Sequence, residues 1–173
     1  MEKRWNLLSW GFFLALSMAF VACEDDQLTQ TTDGKLEDNV PGEWNLVSVK
    51  YSGESPSPWD STIVLPLSGE GDLVTGGFDF FMQDSVDYQI AFLANIDFGS
   101  GLSFSGDVDE TGKGVYSVPH ADTLHVVRND GEMHDWYVIT NTPSEQEWVT
   151  RYRLKPDGTP HWIEVDMRIK MIK

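Results

Sequence analysis

The stretch IEVDMRIKM, residues 163–171, decides the fold class of this chain. Its apolar side chains alternate strictly with charged ones, so a β-strand built from it has one apolar face and one charged face. Shifting its register by one residue would bury four charged side chains, which fixes the orientation of the strand. The sequence therefore predicts a strand that packs one face on a core.

The same period of two continues upstream and is broken at short intervals by turn residues. Residues 148–154 form another one-faced run, which residues 156–158 join to the last strand through a Pro-Asp-Gly turn. Residues 124–127 and 136–139 flank Asn-Asp-Gly at 129–131, so both pairs are predicted hairpins. Earlier strand candidates are residues 44–51, 63–67, 78–82, 88–93, 102–105 and 114–118.

Eight to ten short strands at this spacing predict an all-β domain over residues 41–173. The expected architecture is an antiparallel up-and-down β-barrel of about eight strands, because closing the sheet removes its edges. Such an interior has room for side chains or for one small ligand. Residues 55–59, rich in proline, predict a long loop that could lie across the mouth of the barrel.

The first 23 residues have the pattern of a bacterial lipoprotein signal. Lys3 and Arg4 precede an apolar run over residues 7–20, and Ala22 stands directly before Cys23. This pattern predicts that residues 1–22 are removed and that Cys23 carries lipid, which anchors the protein in a membrane. An ordinary secretory signal or an uncleaved anchor are the alternatives. Lipidation would leave no free thiol, because Cys23 is the single cysteine.

Residues 23–40 are acidic and polar without apolar periodicity, which predicts a disordered tether. Its first four residues, Cys-Glu-Asp-Asp, resemble the surface-export signal of Bacteroidota-type lipoproteins. That resemblance implies an outer-membrane lipid anchor with the protein exposed on the cell surface. The alternative is that these acids only keep the tether solvated, and the sequence leaves the leaflet open.

The whole chain carries 28 acidic and 12 basic residues, a net charge of −16. This charge disfavours binding to nucleic acid or to an anionic membrane surface. The bases concentrate near the end of the chain, where Arg151, Arg153 and Arg168 are found. We expect them to pair with acids on neighbouring strands, and a patch for an anionic ligand is the alternative.

Gly42-Glu43-Trp44, followed by the strand-like residues 45–49, resembles the Gly-x-Trp opening of lipocalin-like domains in bacterial lipoproteins. The resemblance continues loosely to residue 154. It implies that Gly42 opens the first strand, that Trp44 closes one end of the barrel, and that Arg153 or Arg168 packs over the tryptophan. The later signature motifs and the terminal helix of classical lipocalins are missing.

Two functions follow as hypotheses. In the first, the barrel binds a small apolar or amphipathic molecule, with Phe80, Phe92, Trp136 and Tyr152 as wall residues. In the second, the same side chains fill the barrel, and its outer surface contacts other envelope proteins or glycans. The sequence contains no nucleophile elbow, phosphate loop or dinucleotide fingerprint, so no catalytic residue, cofactor or enzyme activity is predicted.

Metal binding is not predicted either. His120 and His125 are five residues apart, on opposite faces of any continuous strand. His134 beside Asp135 is the other pair that suggests a metal ligand, and we expect all four histidines, including His161, to be solvated or at the rim of the core. Residues 107–112 resemble the start of a calcium loop, but its twelfth position is Val118, so a β-turn is expected. An enzyme built on this barrel would need a pair of polar residues that both face inward. The candidates within the strands are His125 and Arg128, which alternation places on different faces.

Overall fold

The computed structural model describes residues 30–57, 62–82, 84–99, 101, 103–154 and 162–173. Nearly all of this part of the chain is β-strand, and α1 (Leu36–Asn39) is a single helical turn. The strands are β1 (Thr31–Thr32), β2 (Gly42–Pro56), β3 (Val64–Phe81), β4 (Ser85–Asp97), β5 (Ser103–His120), β6 (Thr123–Arg128), β7 (Met133–Asn141), β8 (Glu145–Leu154) and β9 (Ile163–Ile172).

Strands β2 to β9 form a closed ring of eight antiparallel strands. Each strand pairs with its neighbours in the chain, and β9 pairs with both β8 and β2 to close the ring. In β9 the apolar residues of the alternating stretch are buried, and Glu164 and Asp166 are exposed. The predicted barrel-like all-β fold and the strand pairing of both predicted hairpins are therefore confirmed, and the predicted turn at 156–158 lies outside the described residues.

Strands β3 and β5 are each continuous where the sequence predicted two short strands with a turn between them. Residues 107–112, predicted to be a β-turn, lie within β5, so that prediction is wrong. The glycines of these strands make room for aromatic rings inside the ring of strands. A Cβ at Gly71 would lie 2.9 Å from the ring of Phe92, and one at Gly112 would overlap the ring of Tyr88.

Aromatic side chains fill the interior. The ring of Phe78 has its centroid 5.3 Å from that of Tyr88, 5.9 Å from that of Trp136 and 5.5 Å from that of Trp148. A small cavity of about 10 Å³ remains among these rings and is large enough for one water molecule at most. The core of the described part of the barrel is therefore packed with side chains.

Trp44 lies at one end of the barrel with 1 % of its surface exposed. Its Nε1 donates a hydrogen bond to the backbone oxygen of Val40 at 2.7 Å. The ammonium group of Lys173 lies 4.6 Å from the centroid of the indole ring. It also donates to the backbone oxygens of Asn39 and Pro41, so the last residue of the chain closes this end.

The expectation that Arg153 or Arg168 packs over that tryptophan is wrong. Arg153 lies over the ring of Trp162, and Arg168 donates to Glu147 at 2.6 Å. The physical reason is register: the end of β9 pairs with the start of β2, which carries the last residue of the chain toward the first strand.

The segment before Pro41 is ordered from residue 30 onward, which corrects the prediction of a disordered tether through residue 40. Strand β1 pairs in parallel with β7. Leu36 and Val40 are buried, because a helical turn places residues four apart on one side. Residues 1–29, including the predicted signal, Cys23 and the start of the tether, lie outside the described residues.

Basic side chains of β8 and β9 pair across the two strands with acidic ones. Lys170 lies 3.0 Å from Glu145, and Arg151 lies 3.7 Å from Asp166, measured between the charged atoms. This confirms the expected cross-strand pairing at the basic end of the chain.

Candidate functional site

The wall of the barrel is open between β5 and β8 in the part of the chain that the structure describes. β6 pairs with β5 from Gly114 onward, so the earlier residues of β5 pair with β4 alone. β7 pairs with β8 as far as Val149, and the rest of β8 pairs with β9 alone. The turn at residues 129–132, between β6 and β7, lies at the base of this opening.

Two adjoining hollows of about 290 Å³ and 460 Å³ occupy the opening, and we call them together the β5–β8 cleft. Both are lined by Glu110, Tyr152, Arg153 and Trp162. The smaller hollow adds four apolar side chains, Ala94, Ile96, Val108 and Leu154, together with the acidic Asp107 and Asp109. The larger adds mostly charged ones: Arg128, Glu132, His134, Arg151 and Glu164. The smaller hollow is therefore richer in apolar side chains, and the larger one is richer in charged side chains.

Glu110 is the central polar residue of the cleft. It faces inward from β5, in phase with Val108 and Gly112, and its side chain is 18 % exposed. Its Oε1 accepts hydrogen bonds from the hydroxyl of Tyr88 at 2.9 Å and from Nη1 of Arg128 at 2.8 Å, and its Oε2 accepts one from the hydroxyl of Tyr152. These bonds offset the cost of placing a carboxylate on an apolar face.

The two tyrosines act as donors only. Burial, together with the hydrogen bond to Glu110 and its negative charge, raises the pKa of Tyr152 well above its usual range. Burial and the charge of Glu110 raise the pKa of Tyr88 in the same way. Both phenols therefore stay protonated at physiological pH and hold the carboxylate in place.

Arg128 connects the cleft to the turn at its base. Its guanidinium contacts Glu110, Asp130 and Glu132 at 2.8, 2.9 and 2.9 Å, and its side chain is 19 % exposed. Three carboxylates thus share one guanidinium, so these four side chains keep a net negative charge.

His134 completes the cluster from the start of β7. Its side chain is 13 % exposed, and among the described residues its Nε2 is buried without a hydrogen-bond partner. This atom lies 3.6 Å from Oε1 of Glu132. The ligand-type atoms of Glu110, Glu132 and His134 all lie within 4.8 Å of one another.

Only one of the four predicted wall residues lines the cleft in the structure. Tyr152 lines the β5–β8 cleft. Phe80, Phe92 and Trp136 are buried and line neither hollow, which corrects their assignment to the wall of a ligand-sized cavity. The physical reason is that large rings pointing inward from an eight-stranded ring fill it.

The three histidines that the structure describes do not gather as a group. His120 is exposed at the end of β5, and His125 pairs with Asp135 across the outer face of β6 and β7. His134 faces the cleft, and His161 lies outside the described residues. Of the inward polar pair considered from sequence, Arg128 faces the cleft and His125 does not line it.

Sequence reasoning missed Glu110 and Glu132. Glu110 could have been found by extending the alternation of β5 through the glycines, because Val108, Glu110 and Gly112 then share the inner face. Nothing local indicated Glu132, whose position depends on where the turn at 129–132 meets β5.

No family model and no curated protein matches this chain. No helix among the described residues is long and apolar enough to span a bilayer.

Proposed function

We propose that this chain is a cell-envelope lipoprotein, anchored in the outer membrane through Cys23, that binds a small amphipathic molecule in the β5–β8 cleft without catalysing a reaction. The observation that carries the proposal is the cleft itself. It lies at an opening in the described part of the wall and combines apolar side chains with a partly buried polar cluster. The larger hollow falls in the size range of small-molecule sites, and the smaller one lies at its lower limit.

The lining indicates how the ligand lies. Its apolar part packs against Ile96, Val108 and Leu154 in the smaller hollow. Its polar part lies toward Glu110 and Glu132 in the larger one. The hydroxyls of the two tyrosines and the guanidinium of Arg128 are already bonded to carboxylates, so a ligand with hydroxyl or amine donors suits this end better than an anion.

The anchor and the cleft fit together geometrically. Six residues lie between Cys23 and residue 30, so seven residue-to-residue steps bound the distance between lipid and barrel at about 25 Å for an extended chain. The ordered segment that follows packs on the end of the barrel closed by Trp44. The turn at 129–132 and the cleft lie toward the other end, so we infer that the cleft faces away from the membrane.

The test is native mass spectrometry of the full chain, extracted in mild detergent from its own source. A small-molecule mass that is present in the native spectrum and lost on denaturation is the expected result. The denatured spectrum also tests the anchor, because it should show a chain that lacks residues 1–22 and carries acyl groups. A chain that retains residues 1–22 would contradict the lipoprotein assignment.

The second candidate function is an interaction module that contacts envelope proteins or glycans through its outer surface. The filled interior favours it, since the cavity inside the aromatic core measures only about 10 Å³. A clean apo mass, repeated after exposure of the protein to fatty acids, haem and glycans, would contradict ligand binding and favour this module.

A further inference from the structure

Three side chains of metal-ligand type converge at the base of the β5–β8 cleft. Glu132 ends the turn before β7 and His134 is the second residue of that strand, and Nε2 of the histidine lies 3.6 Å from Oε1 of the glutamate. Glu110 faces them from β5. Their ligand atoms lie within 4.8 Å of one another although β5 and β7 are separated in the ring by β6.

The separation between His134 and Glu132 matches shared coordination better than hydrogen bonding. Nε2 of His134 is buried without a partner among the described residues and lies 3.6 Å from Oε1 of Glu132. That separation is too long for a hydrogen bond. Two ligands at about 2.0–2.2 Å from one tetrahedral ion lie roughly 3.3–3.5 Å apart, close to the separation seen here.

The charges around the group also favour a divalent cation. Arg128 neutralises one of the three carboxylates that it contacts, on Glu110, Asp130 and Glu132, and leaves two negative charges. A divalent ion would balance them. The guanidinium contacts Oε2 of Glu132 and so leaves Oε1, the oxygen nearer His134, available.

The neighbours of the group would serve as outer-sphere partners. Tyr88 and Arg128 both donate to Oε1 of Glu110 and Tyr152 donates to its Oε2, which fixes the orientation of that carboxylate before any ion arrives. Partners of this kind orient ligands in known metal sites, and their loss weakens metal affinity by about 10–100-fold.

We propose that Glu110, Glu132 and His134 bind one Zn²⁺ ion, with a fourth position open to the cleft and taken by water. An imidazole with two carboxylates suits zinc, whereas Mg²⁺ and Ca²⁺ prefer oxygen ligands alone. This site goes beyond the proposed ligand binding and does not rest on it, because the protein side chains hold the ion whether or not the cleft holds another molecule. With the ion bound, the polar part of a ligand meets the open fourth position instead of the free carboxylates of Glu110 and Glu132.

The test is a zinc titration of the EDTA-treated, dialysed full chain in competition with a chromophoric chelator, followed by thermal unfolding with and without zinc. We expect one Zn²⁺ per chain and a higher Tm in its presence. His134→Ala and Glu132→Gln should each weaken binding at least tenfold. The matched control is His125→Ala, which removes the histidine paired with Asp135 on the outer face and should leave zinc affinity unchanged.

The choice of variants keeps the result interpretable. Glu132 has a side chain that is 55 % exposed, so Glu132→Gln should fold even if His134→Ala does not. The absence of stoichiometric zinc binding would overturn the proposal. Equal zinc affinity in Glu132→Gln and wild type, or a loss of binding in His125→Ala, would overturn it as well.

Discussion

Replacing Glu110 by alanine tests the polar cluster on which the cleft depends. The substitution removes the acceptor for the hydroxyls of Tyr88 and Tyr152 and one of the three carboxylates around Arg128. Breaking a buried, hydrogen-bonded ion pair costs about 3–5 kcal/mol. Arg128 keeps its contacts with Asp130 and Glu132, so we expect the lower end, about 3 kcal/mol of unfolding free energy.

The control for this prediction is Glu132→Ala. Its carboxylate contacts the same guanidinium, but the side chain is 55 % exposed, so its removal should cost at most about 1 kcal/mol. The assay is urea and thermal unfolding followed by tryptophan fluorescence, in EDTA so that metal binding does not contribute. For a chain of this size, 3 kcal/mol corresponds to a fall in Tm of about 6–12 °C.

Equal losses of unfolding free energy in Glu110→Ala and Glu132→Ala would refute the reasoning, because the larger loss expected for Glu110→Ala rests on the burial of Glu110. A loss below about 1 kcal/mol in Glu110→Ala would show that the hydrogen bonds of this carboxylate only replace bonds to water.

Three further substitutions test other parts of the structure. Gly112→Ala places a methyl group against the ring of Tyr88 and should destabilise the fold by about 1–3 kcal/mol; an unchanged Tm would contradict the close packing. Arg168 holds the pKa of Glu147 below its usual range, so this pair stabilises the fold at neutral pH and its contribution fades below about pH 4.5. The difference in unfolding free energy between Glu147→Gln and the wild type should therefore shrink as the pH falls. A difference that stays constant from pH 7 to pH 3 would contradict this role of the pair. Lys173→Met should cost about 1 kcal/mol by removing the ammonium group from the indole ring at the closed end, as judged by urea unfolding.

The fold could be predicted where one side chain in two is apolar. Strand β9 shows this most clearly, since its alternation fixed both its existence and its buried face. The prediction failed within β3 and β5, where glycines look like turn residues in the sequence. Whether Gly71 breaks a strand or makes room for a ring depends on Phe92, which belongs to the next strand.

The candidate site could be predicted from the sequence much less well than the fold. Its members come from β4 to β8, and their meeting depends on how far the β6–β7 hairpin extends along the wall. The residue over Trp44 was misassigned for a similar reason, because only the pairing of β9 with β2 shows that the last lysine reaches it. Alternation assigns a residue to a face, but it does not determine which residues meet across the ring.

The central claim is that the cleft in the barrel wall holds the ligand, and a matched pair of tryptophan substitutions tests it most directly. Val108→Trp fills the smaller hollow, and Val115→Trp adds the same side chain to the same strand at an exposed outer position. The measurement is the amount of bound small molecule in native mass spectra of the two variants and the wild type. The account predicts that Val115→Trp keeps the wild-type ligand content and that Val108→Trp loses it. Full ligand content in a correctly folded Val108→Trp variant would contradict the account.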